Sequence, residues 1–427
     1  MAVTEVIREE LVRNGCYNPR PMSATRALKS AAIFLMVFAF AAYLIMTFPH
    51  SPKDTTRLLD FSEFYAAAEI VRHGLGSRLY DLLLQSEYQL RVAPVHAFFL
   101  RPPFEAVLFI PFTYVSYRTA YAVWTVICLG ILAITAHLIR NNTDVLKAMT
   151  IYAHGVQADF GLLYIVLLTF APTMNCLLIG QDSVLILFIY TLVFISLRDG
   201  HESRAGALAA CGLFKFHLVL PFVFIFVLRR RSRFLIGFAA VALVLVFVSV
   251  LACGFGILIS YPKLFLTSQY KSLLGFQPEY AANIRGLVYL LSFGRLPGAI
   301  TGGLVALSSV YILWVVAKAW RDDQLVFSFS ASVVATLLTG FHAFIYDMAL
   351  LLLPVAIVCS ALVRNNALLR HRGLSLILLI LFIPPVHFVL AQLHAYALMG
   401  IVLIGLFISI VQLMNHGRDH MLATATV

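Results

Sequence analysis

The residues of this chain best suited to chemistry are two carboxylates three positions apart, in the run Asp60-Phe-Ser-Glu-Phe-Tyr65. Tyr65, the pair Tyr80-Asp81 and the run Arg101-Pro-Pro-Phe104 follow in the same polar stretch. The chain around them is 61% hydrophobic and 12% charged, so clustered acids need a reason. Ionisable groups next to lipid are costly, and where they occur they mark a substrate or ion path. An Asp so placed takes a proton from an acceptor hydroxyl, a contribution of about 10²–10⁴ in rate. Arg, Lys or His close by stabilises a departing phosphate. Both acids also have a structural reading, because Asp60 suits a helix N-cap and Glu63 the third position of a capping box.

The elements that must position these groups are membrane helices. Mean hydropathy is +0.91, and the apolar runs recur at about 20 residues, the length that crosses a bilayer. Backbone groups in lipid must be satisfied within the segment, which makes such runs helical. The expected fold is an all-α integral membrane protein, a single domain over 1–427 with about ten full spans plus a re-entrant hairpin. The spans are expected at 29–48, 117–139, 151–171, 183–197, 234–258, 299–319, 325–339, 348–363, 373–391 and 395–414. The first is followed by no small-residue cleavage site and reads as a retained anchor.

Basic clusters orient these spans, with the cytoplasmic side positive. Residues 1–28 and 415–427 are then cytoplasmic, and 50–103 is the first extracytoplasmic loop, carrying interfacial helices. The segment 205–228 carries Lys215, His217 and Pro221 in its middle and runs into Arg229, Arg230, Arg231 and Arg233. A re-entrant hairpin opening to the cytoplasm keeps those arginines inside, and puts Lys215 towards the cytoplasmic side. A net charge of +11 distributed this way implies membrane lipids as partners and no nucleic acid. The six cysteines show neither metal nor disulfide spacing. The chain has no P-loop and no Gly-rich nucleotide fingerprint, so no cofactor is expected. The pair Asp322-Asp323 reads as a solvated helix connection.

Threading the spans puts Asp60, Glu63, Gln181, Asp182, Asn283, Arg285, His342, Tyr346 and Asp347 on one face, the non-cytoplasmic one. Helices far apart in sequence thus supply one site, suited to group transfer from a lipid-linked donor. Asp60 and His342 are the catalytic candidates. Glu63, Tyr65, Arg101, Gln181, Lys215, Asn283, Arg285 and Tyr346 are the substrate-binding candidates. Arg285 and Arg101 suit a donor phosphate or headgroup, and Lys215 a carbonyl or lipid phosphate. Tyr346 fits an aromatic belt equally well, Asp347 a cap on the following helix, and Gln181 a helix start beside Gly180.

Asp60-Phe-Ser-Glu-Phe-Tyr-Ala-Ala-Ala-Glu69, Gly74, Leu79-Tyr-Asp81, Arg101-Pro-Pro-Phe104, Pro111 and Ala122-Val-Trp124 resemble the start of glycosyltransferase family 87. The resemblance continues through Leu178-Ile-Gly-Gln181, Ala205-Gly206, Lys215, Pro221 and the arginine run, to His342, Tyr346 and Pro354, covering about residues 55–360. It implies a GT-C-type polytopic helix bundle in the bacterial inner membrane. It implies an inverting transfer of a sugar, mannose or another hexose or pentose, from a polyprenyl-phosphate donor to a lipid or glycan acceptor. Asp60 would be the general base and His342 would lie near the donor phosphate or acceptor. Phe216-His217 stands where many relatives have proline, which opens the identity of sugar and acceptor. The rival reading is a multi-pass transporter or lipid-linked substrate flippase. Its usual marks, internal repeats with paired broken helices, are not apparent in the sequence.

Overall fold

The computed structural model describes residues 60–93, 98–152, 157–266, 277–364 and 371–425. The expected anchor at 29–48 and the segment 1–28 lie outside the described residues. Those described are all-helical, with no strand among them.

The polar stretch folds as α1 (Phe61–Arg72), α2 (Leu82–Leu90) and α3 (Pro103–Phe109). Then come α4 (Tyr117–Asn142), α5 (Val145–Tyr152), α6 (Phe160–Thr169), α7 (Ala171–Ile179) and α8 (Ser183–Arg198). The middle of the chain forms α9 (Glu202–Cys211), α10 (Phe216–Leu228), α11 (Ser232–Cys253) and α12 (Ile257–Leu266). The last part forms α13 (Ile284–Leu291), α14 (Gly298–Ala319), α15 (Leu325–Thr339), α16 (Leu352–Arg364), α17 (Arg372–Phe382), α18 (Pro384–Gln392) and α19 (Met399–Ala425).

Among the described residues, five helices are long and apolar enough to cross a membrane, or up to eight if each bent pair counts as one span. Helices α8 and α15 are apolar but shorter. Two expected straight spans are in fact broken, and the expected hairpin at 205–228 carries a third bend. The run expected as one span at 151–171 divides into α5, α6 and α7, with a 67° bend between α6 and α7. Pro172 in the first turn of α7 explains that bend, since proline has no N–H to continue α6 and its ring clashes with the preceding turn. Residues 174–179, beyond the end of the expected span, are therefore helical. The span at 373–391 bends by 64° at Pro384-Pro385 for the same reason. There the buried His387 hydrogen-bonds the Leu381 carbonyl at 2.7 Å, the acceptor that Pro385 leaves vacant. The third break, 66° between α9 and the segment Leu213–Leu228, falls at Gly212 and is a shape common to a broken span and a re-entrant loop. At the C-terminus, α19 runs through residues expected as a tail.

The core is organised around α15, every residue of which from Ser328 to Leu338 is buried. It packs against α10, α14, α16 and α19. Two of its hydroxyls return to their own helix, Ser330 to the Val326 carbonyl at 2.6 Å and Ser332 to that of Ser328 at 2.8 Å. Small polar residues can thereby sit in an apolar interior without an unmet hydrogen bond. Helices α11 and α14 lie at the periphery. Leu243 (69% exposed), Leu251 (69%) and Leu307 (73%) point outward there, as lipid-facing residues do in the absence of a bilayer.

Helices α9 and α11 cross closely enough that only glycine fits. A Cβ on Gly206 would lie 1.9 Å from the Phe234 carbonyl oxygen, and one on Gly237 would lie 1.9 Å from that of Ser203. This is the small-residue contact by which membrane helices bring backbones together. It fixes the approach of α9 to the break that carries Lys215.

Candidate functional site

Five separate segments converge on one cluster of charged side chains. The first is the start of α1. Asp60 occupies the N-cap position there, but its side chain makes no capping hydrogen bond. Among the described residues its carboxylate accepts from one side chain, the Gln181 amide, at 2.6 Å. Glu63 likewise completes no capping box; its carboxylate faces the Arg101 guanidinium at 3.4 Å. The structural reading of both acids is thereby replaced by a polar network.

Gln181 and Asp182 come from the turn between α7 and α8. Gly180, at φ +72, ends α7 in the left-handed conformation that glycine adopts most readily. A Cβ there would also meet Phe61 at 2.6 Å. Trp124 and Tyr121 of α4 hold the same turn, donating to the carbonyls of Gly180 at 3.0 Å and Leu178 at 2.8 Å. Gln181 is thus presented with its amide nitrogen towards Asp60 and its oxygen accepting from Arg101 at 2.7 Å.

Arg101 is the hub. Its guanidinium reaches Asp182 at 2.6 Å, Glu105 at 3.2 Å and Glu63, and lies over the Phe64 ring at 4.7 Å. Tyr80 donates to the Arg101 carbonyl at 2.6 Å and pins the backbone. Beyond Asp182 stands Lys215, fully buried at the break before α10. Its ammonium lies 2.9 Å from Asp182 Oδ1 and 2.7 Å from Asp347 Oδ1, with the Tyr346 ring 4.8 Å away. Asp347 also accepts from Ser183 at 3.0 Å and from the Phe344 backbone N–H at 3.1 Å. It is therefore both a cap, as the sequence suggests, and an ion-pair partner. Lys215 was expected towards the opposite face from Asp182 and Asp347. The fold corrects that expectation, because the break that carries Lys215 reaches into the same cluster.

The charge balance sets the protonation states. Among the described residues, the permanent cations in contact with this group of acids (Asp60, Glu63, Glu105, Asp182 and Asp347) are Arg101 and Lys215. Burial pushes Glu63 up to about 8, against the opposing pull of Arg101, so it keeps its proton at neutral pH. Burial also raises Asp60, while Gln181, Arg101 and Lys215 hold it down. Burial raises Glu105 strongly, and its contact with Asp182 adds to the rise. For Asp182 burial is outweighed by Arg101 and Lys215, and it stays below the ordinary value. His342, in the loop after α15, is pushed down to about 3 by burial and by His217, so its imidazole is neutral.

The remaining expected contacts are placed differently. Asn283 caps α13 by accepting from Gly286 N–H at 2.8 Å and donates to the Gly340 carbonyl at 2.6 Å. Arg285 reaches the Phe341 carbonyl at 3.4 Å. Both residues thus hold the loop that carries His342. The Tyr65 hydroxyl donates to the Val115 carbonyl at 2.9 Å, and its ring packs on Tyr117. Glu105 was not anticipated, although an acid four residues after Arg101 on a Pro-started helix was a usable signal. His217, which the sequence marks only by its place in the 205–228 segment and as a departure from the family pattern, has its ring 5.7 Å from that of His342. Among the described residues, no group of three or more His, Cys, Asp or Glu is arranged to hold a metal ion. Asp322 and Asp323 pair with Arg231 and Arg321.

No curated protein and no solved structure matches the chain. The family model of glycosyltransferase family 87 matches residues 99–354, more than half of the chain. Asp60, Glu63 and Tyr65 precede the match, and the other site candidates fall within it. A polytopic helical bundle with a buried polar cluster, matched over that length, is a membrane glycosyltransferase by family, and the chain belongs to glycosyltransferase family 87.

Proposed function

We propose that the protein moves a sugar from a polyprenyl-phosphate donor to a lipid or glycan hydroxyl at the extracytoplasmic face of a bacterial inner membrane. The acceptor oxygen attacks the anomeric carbon and its proton passes to Asp60. The bond from that carbon to the phosphate oxygen breaks, and the electron pair leaves on polyprenyl phosphate. Attack opposite to the leaving group inverts the anomeric centre.

The observation that carries this reading is the state of Asp60. Its carboxylate is not used as a helix cap, is oriented by Gln181 and is raised by burial towards working pH. A base works best when its pKa approaches the operating pH. Glu63 beside it retains its own proton and is suited to donate a hydrogen bond to a sugar hydroxyl. Arg101 and Gln181 position the pair, and Lys215, Asp182 and Asp347 form the buried floor. His342 fits the leaving phosphate. Asn283, Arg285, Tyr65 and Tyr346 act through the loops and rings they hold.

The test is transfer of radiolabelled mannose from polyprenyl-phosphate-mannose into membrane lipid, wild type against Asp60→Asn. Transfer that disappears in the variant supports the reading. Transfer that survives removes Asp60 as base. If no polyprenyl-phosphate sugar serves the wild type, the transporter reading takes precedence.

A further inference from the structure

An anionic group arriving at this cluster finds both central cations engaged. Arg101 faces Glu63, Glu105 and Asp182, and Lys215 faces Asp182 and Asp347. Asp347 is itself engaged by Lys215, Ser183 and the Phe344 N–H.

Next to it is a ring nitrogen with no partner at hydrogen-bonding distance. His217, on the first turn of α10, has a side chain only 10% exposed, and its Nε2 makes no hydrogen bond. The nearest Asp347 oxygen is 3.6 Å away, beyond hydrogen-bonding distance. A buried polar atom left unsatisfied costs about 1–3 kcal/mol, and a water, an ion or a catalytic role is among the explanations for one. The ring stands edge-to-face with His342 at 5.7 Å and Phe341 at 6.0 Å, and Phe344 packs on His342 at 4.3 Å. Two imidazoles from distant segments are therefore side by side at the edge of the ion-pair floor, with apolar rings around them.

We infer that His217, together with His342, binds the phosphate of the lipid-linked donor, His217 directing its Nε2 at a non-bridging oxygen. This rests on the proposed lipid-phosphate donor. The chemistry suits a leaving group, because the phosphate gains negative charge as its bond to the sugar breaks. Donors aimed at developing charge act most strongly in the transition state. Imidazole also adds a donor here without adding a permanent charge to a site whose two cations are already paired.

The experiment measures binding of undecaprenyl phosphate, without sugar, to the full chain by thermal shift, with undecaprenol as the control lipid. The proteins are wild type, His217→Phe, His217→Leu, His217→Gln and, at an exposed position, His137→Gln. Undecaprenyl phosphate is expected to stabilise wild type and His137→Gln, and undecaprenol is not. The Phe and Leu variants should bind the phosphate lipid about tenfold more weakly, with part of the loss recovered in His217→Gln, which keeps an N–H. Full-strength binding by His217→Phe or His217→Leu overturns the inference and leaves the donor reading standing. If wild type does not distinguish the phosphate lipid from the alcohol, the donor reading fails and takes the inference with it. Should neither substituted protein fold, carbethoxylation of His217 in the unaltered chain decides. Slowing by undecaprenyl phosphate alone is expected, and equal rates with both lipids overturn the inference.

Discussion

Lys215 donates to Asp347 across 132 residues of sequence at 2.7 Å, and both side chains are fully buried. The same ammonium lies 2.9 Å from Asp182. One cation thus ties the turn before α8, the break before α10 and the start of the span Ile345–Arg364 into a single floor. Removing one member of a buried ion pair leaves its partner uncompensated, which costs about 3–5 kcal/mol. Lys215→Met should therefore lower the melting temperature sharply. Lys215→Met combined with Asp347→Asn should recover part of the loss. A double variant no better than the single one would show that the floor is held by packing and not by charge.

Asp60 makes no structural cap, so its removal should separate chemistry from stability. Asp60→Asn should reduce transfer by about 10²–10⁴ while the melting temperature changes little. Parallel loss of melting temperature and activity would return Asp60 to a structural role.

Gln181 holds Asp60 down by donating to its carboxylate. In Gln181→Met that contribution is gone, and Asp60 picks up its proton at higher pH. The acidic limb of the transfer profile should move upward in pH, and Gln181→Asn should move it less. An unshifted limb with reduced turnover would mean that Gln181 only packs.

Glu63 titrates at about 8 in the folded protein against an ordinary value of 4.5. Between those values the folded state binds the proton and the unfolded state does not. Stability from this group is therefore present at low pH and is lost as pH rises through that window. Glu63→Gln should flatten the fall in melting temperature between about pH 4.5 and 8 and leave transfer near neutral pH almost unchanged. A fall of the same slope in the variant would refute the assignment.

The crossing of α9 and α11 should tolerate no side chain. Gly206→Ala places a methyl 1.9 Å from a backbone oxygen, and overpacking of this kind costs about 1–3 kcal/mol. Detergent-solubilised protein should melt lower, with the same direction for Gly237→Ala. A neutral result at both positions would show that the helices can separate there.

Hydropathy alone determines the class of this protein, because satisfying the backbone in lipid leaves a long apolar run no choice but to be helical. That rule located α4, α8, α11, α14 and α15 to within a few residues. It misplaced elements where proline interrupts an apolar run, as at Pro172 and Pro384, since a window average does not register a bend. The residue types of the site were legible too, and Asp60, Arg101, Gln181 and His342 stand out as polar groups in an apolar chain. What each does was not. Asp60 and Glu63 look alike in sequence, and both look like caps. Only the turn at Gly180, which brings the Gln181 amide to one and leaves Arg101 for the other, gives them different partners. Arg101 meets Asp182 across 81 residues and Ser183 meets Asp347 across 164. Such pairings depend on which helix faces bury together, a property of the packed bundle that no local pattern contains.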